Sequence, residues 1–458
     1  MKRIVKQYES PGFRDVILTG TQVFTENAGA ETHIINLYPE VTYQTVLGFG
    51  GAFTESAAYV YQKLTETEKE RLLRALFSDE GLAYNFCRTP IGSCDFALDR
   101  YVYVKDGDMS LDSFSVDRDR QFTLPFIRDA YRYAGRKLML FASPWSAPAW
   151  MKTNGSAVGG GRIRPECRGV WAEYICRYIR AFADEGVTVS AVSVQNEPKA
   201  RQSWESCEFS AGEEGMFIRD FLHPALVKNG LSDVKILIWD HNKERVYDRA
   251  ADTFRVPGVR ELVWGIGFHW YSGHHFDGVG IAGKMFPEKM LIETEYCKVL
   301  DGRYEAFGAD ADPLAYGVEM LYNFQNGMHA SVDWNMLLNR DGGPYHDRDS
   351  GCRAAVMADT ETGTFLFTEI YANLYHFAHF IRRGAVRIGT TGYDKALGVV
   401  GFRNPDGTLV AVAVNENPWD MAAVLRIGET VAPLPSVPAR SLRWSLRSRS
   451  DFLPKPLF

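Results

Sequence analysis

Long apolar runs are missing from this chain. In its 458 residues no stretch approaches the roughly 20 consecutive apolar residues of a membrane-spanning helix, so membrane insertion is not expected. The basic start, Met1-Lys2-Arg3-Ile4-Val5-Lys6-Gln7, is not followed by the apolar core of a secretory signal. Paired cysteines are missing too. The seven Cys stand at 87, 94, 167, 176, 207, 297 and 352, an odd count with no CxxC. That argues against a disulfide framework and leads us to expect buried thiols and a cytoplasmic location. A basic surplus is absent: 51 Lys and Arg face 57 Asp and Glu, a net charge of −6, which argues against nucleic acid as a partner. No HExxH or other metal-ligand spacing occurs; His269, His274, His275 and Asp240 are the nearest to one, and neither metal nor cofactor is expected. There is no low-complexity tract and no fixed-period repeat.

What the chain does contain is alternation. From Gln44 to about Ile381, eight short apolar runs alternate with amphipathic segments. The runs are Gln44 to Phe49, Asn85 to Pro90, Leu138 to Ser143, Ala191 to Gln195, Lys235 to Asp240, Gly265 to His269, Met290 to Glu295 and Ala330 to Trp334. Between them, Thr65 with Glu68 and Ser210 with Glu213 form capping boxes, and Asn229-Gly230 is a helix stop. Asp312-Pro313 opens a helix ending near Gly327, and a last helix is expected over about Thr364 to Arg383. Eight strands alternating with helices predict a (β/α)8 TIM barrel over 44–385. Both chain ends read as β. Asp15 to Thr19 and Thr32 to Leu37 precede the barrel; a hairpin, Leu397 to Phe402 with Leu409 to Val414, follows it around Asn404-Pro405-Asp406-Gly407. Residues 1–43 and 386–458 are therefore expected to meet in one side β-sandwich.

In such a barrel, chemistry sits where the strands end. Six of the eight runs close on Arg88, Asn196-Glu197, Asp240-His241-Asn242, His269-Trp270-Tyr271, Glu295 and Asp333-Trp334-Asn335. A purely structural core does not predict polar residues collected at one end of so many strands. Two of them are glutamates, Glu197 after the fourth run and Glu295 on the seventh, the pair that two-carboxylate cleavage of a glycosidic bond requires. Glu293 competes with Glu295, because strand alternation puts the two on one face. The acid of such a pair needs a pKa raised by burial or a nearby negative charge, and the nucleophile needs to be ionised.

These residues, in this order, resemble glycoside hydrolase family 30, the glucosylceramidase-like enzymes, over nearly the whole chain. The resemblance is carried by Gly48-Phe49-Gly50-Gly51-Ala52-Phe53-Thr54, Ser93-Cys94-Asp95-Phe96 and the stretch from Ala142 through Ser143-Pro144-Trp145-Ser146 to Gly155. Asn196-Glu197-Pro198, His269-Trp270-Tyr271, Thr294-Glu295, Asp333-Trp334-Asn335 and Gly342-Gly343-Pro344 complete it. Asn-Glu-Pro alone is common among barrel glycosidases; the two long stretches are specific.

The resemblance implies a retaining β-glycosidase working by double displacement, exo-acting and β-glucosidase- or glucosylceramidase-like. Glu197 would be the general acid/base and Glu295, chosen by the Thr-Glu-Tyr-Cys match, the nucleophile. It implies sugar-binding roles for Asp95, Trp145, Asn196, His269, Tyr271 and Trp334, with Arg88 holding Glu295 ionised. The partner would be a small glycoside or oligosaccharide. A β-xylosidase or a β-1,6-glucanase or galactanase on the same scaffold is the alternative, and a non-catalytic carbohydrate-binding barrel the remote one. Three stretches depart from the lysosomal members: Tyr345-His346-Asp347-Arg348-Asp349, Asp240-His241-Asn242, and Lys199 to Trp204. They leave the sugar and the leaving group open.

Overall fold

The computed structural model describes residues 4–13, 16–135, 138–299, 312–347 and 351–448. Met1, Lys2, Arg3, Asp15, Arg348 and Asp349, named above, lie outside them.

Eight parallel strands close into a barrel: β1 Gly48–Ala52, β2 Phe86–Ile91, β3 Met139–Pro144, β4 Val189–Ser193, β5 Lys235–Asn242, β6 Gly265–His269, β7 Met290–Glu295 and β8 Ala330–Asn335. Each pairs with its neighbours in chain order, and β8 closes on β1. Side-chain alternation then sorts the interior into two levels. Phe86, Phe141, Ala191, Leu237, Ile292, Ala330 and Val332 form an apolar plug. Two residues further along β2, β3 and β4 the same inward face carries Arg88, Ser143 and Ser193, all fully buried. Hydrocarbon below and polar groups above position the site at the C-terminal end of the barrel.

The first strand begins later than expected. Gln44 and Thr45 belong instead to Ile34–Thr45, where Thr45 pairs with Val386. The last helix is also shorter than expected: Thr364–Phe367 is a strand paired with Val356–Asp359, and Thr368 caps a helix over Glu369–Ala378. Local β-branched and aromatic residues there favour extension. One expected capping box is complete, with Ser210 and Glu213 capping each other reciprocally; at the other, Thr65 Oγ1 accepts from Glu68 N while the Glu68 carboxylate turns to Arg71.

A ten-stranded sheet draws on both chain ends. Ile4–Glu9 pairs with Ser441–Ser448, and Ile34–Thr45 lies between Val386–Thr391 and Met421–Ile427. The sheet folds over a core of its own that includes Val5, Leu37, Ile388, Val399, Ala411 and Leu425. The alternate residues Val400, Phe402, Val410, Val412 and Val414 join the barrel's core instead. These strands are thus buried on both faces, which explains their continuous apolar sequence.

Candidate active site

Two backbone irregularities deliver the carboxylates. Along β7, Ile292 faces the barrel interior, so regular alternation would turn Glu295 outward. The pairing of β6 with β7 shifts between Phe268–Glu293 and His269–Glu295, a bulge that returns Glu295 to the inside. Glu293 and Glu295 therefore do not share a face, contrary to the expectation from alternation. β5 carries a similar shift against β6, with Trp239 and Asp240 in the left-handed region (φ 71° and 50°), which aims Asp240 inward. Glu197 also has a positive φ, 47°, and its N–H donates to Asp240 O at 2.9 Å.

Asp95, Trp145, Asn196, Glu197, Tyr271, Glu295 and Trp334 line one cavity of about 350 Å³ at this end of the barrel. Arg88 and His269 lie beneath it, fully buried, and serve as its floor supports. The rings of Trp145 and Trp334 stack with centroids 5.1 Å apart and planes 21° apart. Gln195 Nε2 donates to Trp145 O at 2.7 Å.

Arg88 is the hub. Its Nη1 donates to Glu295 Oε2 at 2.6 Å, and its Nη2 to Asn196 Oδ1 and Asp240 Oδ2, both at 2.8 Å. Tyr271 donates its hydroxyl to Glu295 Oε1 at 2.9 Å, so each oxygen of Glu295 has a donor. Asp240 also accepts from Ser143 and Ser193, at 2.9 and 2.6 Å. His269 spans the gap, with Nε2 3.0 Å from Asp240 Oδ1 and Nδ1 3.2 Å from Glu197 Oε1. The sequence names Asp240 only as a polar strand exit; its central position follows from the bulge, which no residue type announces.

The electrostatics partly reverse the sequence expectation. Burial pushes Glu197 up, but His241 and His269 outweigh it and hold the carboxyl down at about 2. Burial pulls His269 down, yet the Glu295 charge and the bonds to Asp240 and Glu197 raise it to about 9. Asp240 is kept well below the usual carboxylate range, burial being outweighed by Arg88 and His269. Glu295 is pushed upward by burial, against the pull of His269 and Arg88. Two cations, Arg88 and His269, thus face three carboxylates, Asp240, Glu197 and Glu295. With all three ionised the group carries one uncompensated negative charge, which adds to the upward push on Glu295.

A second cluster closes one side of the cavity. Glu205, buried, receives His346 Nε2 at 3.1 Å on both oxygens, as well as the Ser93 hydroxyl. His346 N donates to Asp95 O at 3.0 Å, and Ser203 Oγ to Asp347 O at 2.9 Å. Arg100 pairs with Asp347. The loops that follow β2, β4 and β8 are therefore tied together behind Asp95. Gln202, Ser203, Trp204, His241, Asn242, Cys297 and Val299 complete the lining, and of these Val299 carries no signal in the sequence. Among the described residues, Glu197, His241 and His269 are the group whose donor atoms converge closely enough to hold a metal ion.

A barrel with two glutamates in one polar cavity, one just past β4 and one at the end of β7, defines the class of glycoside hydrolases of TIM-barrel fold. The sequence matches the family models for the glycosyl hydrolase family 30 TIM-barrel domain over residues 46–381 and the family 30 beta sandwich domain over 384–443, and the chain belongs to that family. It is 31% identical over 422 residues to the lysosomal acid glucosylceramidase of Mus musculus, covering 87% of this chain and 81% of that one. The crystal structure of SrfJ from Salmonella typhimurium superposes with a TM-score of 0.90 at 32% identity, over 98% of this chain and 100% of that one. The endo-beta1,6-glucanase BT3312 follows at 0.84 and 26%, over 98% and 100%. No described helix is long and apolar enough to cross a membrane.

Proposed function

We propose that this glycoside hydrolase is a retaining exo-β-glycosidase acting on β-glucoside-like substrates, with Glu295 as nucleophile and Glu197 as general acid/base. The observation that carries the assignment is the contrast in partners. Glu295 is pinned at both oxygens by Arg88 and Tyr271, which fixes it for attack and favours its ionised form. Glu197 instead faces imidazoles, and His269 Nδ1 is a proton source at 3.2 Å. Asn196, oriented by Arg88, would donate to the 2-hydroxyl of the sugar; Asp95 would accept from ring hydroxyls, Trp145 and Trp334 would floor the ring, and His269 would act through Glu197. Esterification of Glu295 removes its charge, and Glu197 then deprotonates the water that releases the sugar.

Exo action is inferred from the loops after β2, β4 and β8, which are tied together behind Asp95 and border one side of the cavity. The likeness to a glucosylceramidase favours a glucoside; that to an endo-β1,6-glucanase keeps β-1,6-glucan in view. Hydrolysis of a panel of nitrophenyl β-glycosides, with the anomer of the first product followed by NMR, tests the reading: a β-configured glucose from the glucoside is expected. An α-configured first product, or random internal cleavage of β-1,6-glucan, overturns it. One observation favours exchanged roles, namely the upward push on Glu295, and the azide experiment below decides that point. The seven buried thiols support a reducing, cytoplasmic setting.

A further inference from the structure

We infer that Glu197, His241 and His269 form a site for one transition-metal dication of the zinc type, seated in the floor of the sugar cavity. The three donor atoms all lie within 4.8 Å of one another. Glu197 Oε1 is 3.2 Å from His269 Nδ1 and 3.6 Å from His241 Nδ1. Tetrahedral zinc with bonds of about 2.0–2.1 Å has ligand-to-ligand edges of about 3.3–3.4 Å, so these two spacings bracket the required value.

Two further features point to a ligand. His241 Nδ1 is buried without a hydrogen-bond partner, an arrangement that costs free energy unless something accepts its lone pair or takes its proton. His269 is oriented as metal-binding histidines are: its Nε2 faces Asp240 Oδ1 at 3.0 Å, which fixes the ring and leaves Nδ1 to the metal. Asp240 is itself fixed by Arg88, Ser143 and Ser193. The metal replaces the proton between His269 and Glu197, and water in the cavity supplies the fourth ligand. Bound there, the metal occupies the carboxylate assigned above as acid/base. It therefore blocks turnover, and this consequence alone rests on the proposed role of Glu197.

Zinc chloride titrated into the chelator-treated full chain, read by calorimetry and by competition with a chromophoric chelator, tests the site. Binding of one ion is expected, weakened at least about 100-fold by His241→Asn and by Glu197→Gln, and unchanged by the double substitution Cys297→Ser with Cys352→Ser. Affinity that survives His241→Asn, or disappears with the cysteines, overturns the proposal. Should the variants not fold, Co²⁺ bound to the unaltered chain reports directly. A tetrahedral visible spectrum without a thiolate charge-transfer band supports the site, and such a band overturns it. Binding that depends on His241 but leaves hydrolysis untouched retains the metal site and overturns the role of Glu197.

Discussion

Glu293 and Glu295 stand two residues apart on one strand, both buried, and the bulge between them sends them to different worlds. Glu295 meets Arg88, Tyr271 and a cavity. Glu293 turns away from the cavity: Asn323 Nδ2 of the helix layer donates to it at 3.0 Å and Ser331 Oγ of β8 at 3.1 Å. Beside it lies the buried ion pair of Lys243 with Glu319. Burial, reinforced by Glu319, pushes Glu293 well above the ordinary carboxylate range. A strongly perturbed carboxyl group is therefore not by itself the mark of a site. Burial pushes both carboxyls upward, but only the one turned toward the cavity can meet a substrate.

The largest effect that separates them is catalytic. Glu295→Gln should lower turnover of every substrate by about 10⁴–10⁶-fold without loss of fold, since no glycosyl-enzyme forms. Steady-state kinetics with activated and natural leaving groups check this, and appreciable residual turnover would undo the assignment. Glu197→Gln should cost roughly 10²–10⁴-fold on poor leaving groups and far less in the first step with dinitrophenolate. Azide should then rescue the second step and yield a β-glycosyl azide. An α-azide from Glu295→Gln, with Glu197→Gln inert, would exchange the roles.

On the other side of β7 the effects should be on stability alone. Lys243→Met strands the Glu319 carboxylate in the core and should cost about 3–5 kcal/mol in denaturant unfolding, with turnover per folded molecule retained. A smaller effect belongs to the histidines remote from the cavity. Burial lowers His329 and His379 to about 4 and His376 to about 3, the reverse of His269. Their unfolded forms take up protons first. Their contribution is therefore whole above about pH 6.5 and is lost as pH falls toward the folded values, on the order of 2 kcal/mol for each histidine by about pH 5. Unfolding midpoints at pH 7 and 5 measure it; an unchanged midpoint contradicts the sign. Least of all, Glu293→Gln should shift stability by no more than about 1 kcal/mol, because a protonated carboxyl and an amide are near-isosteres.

The barrel was readable because its strand alternation and long motifs are local properties of sequence. Arg88, Asn196, Glu197, Tyr271, Trp334 and Glu295 were readable as polar ends of apolar runs. The bulges were not: Trp239 and Asp240 adopt left-handed backbone without a glycine to announce it, so Asp240 looked like an ordinary exit residue. The Glu205–His346 contact was invisible for another reason. It joins residues 141 apart in the chain whose types are unremarkable alone. The start of β1 is not legible either, because Gln44 and Thr45 belong to a strand of the neighbouring sheet that local pattern does not show.

The pairing of the two outermost described strands has a mechanical consequence. Ile4 lies opposite Ser448 and Glu9 opposite Arg443, so the first and last described strands run side by side. Tension applied at the two ends would open this ladder like a zipper, one bond at a time. An optical trap should record a first yield at low force, with the sugar cavity still intact. The barrel, carried between strands that clasp each other at Thr45 and Val386, is shielded from any load on its own tethers until that clasp parts.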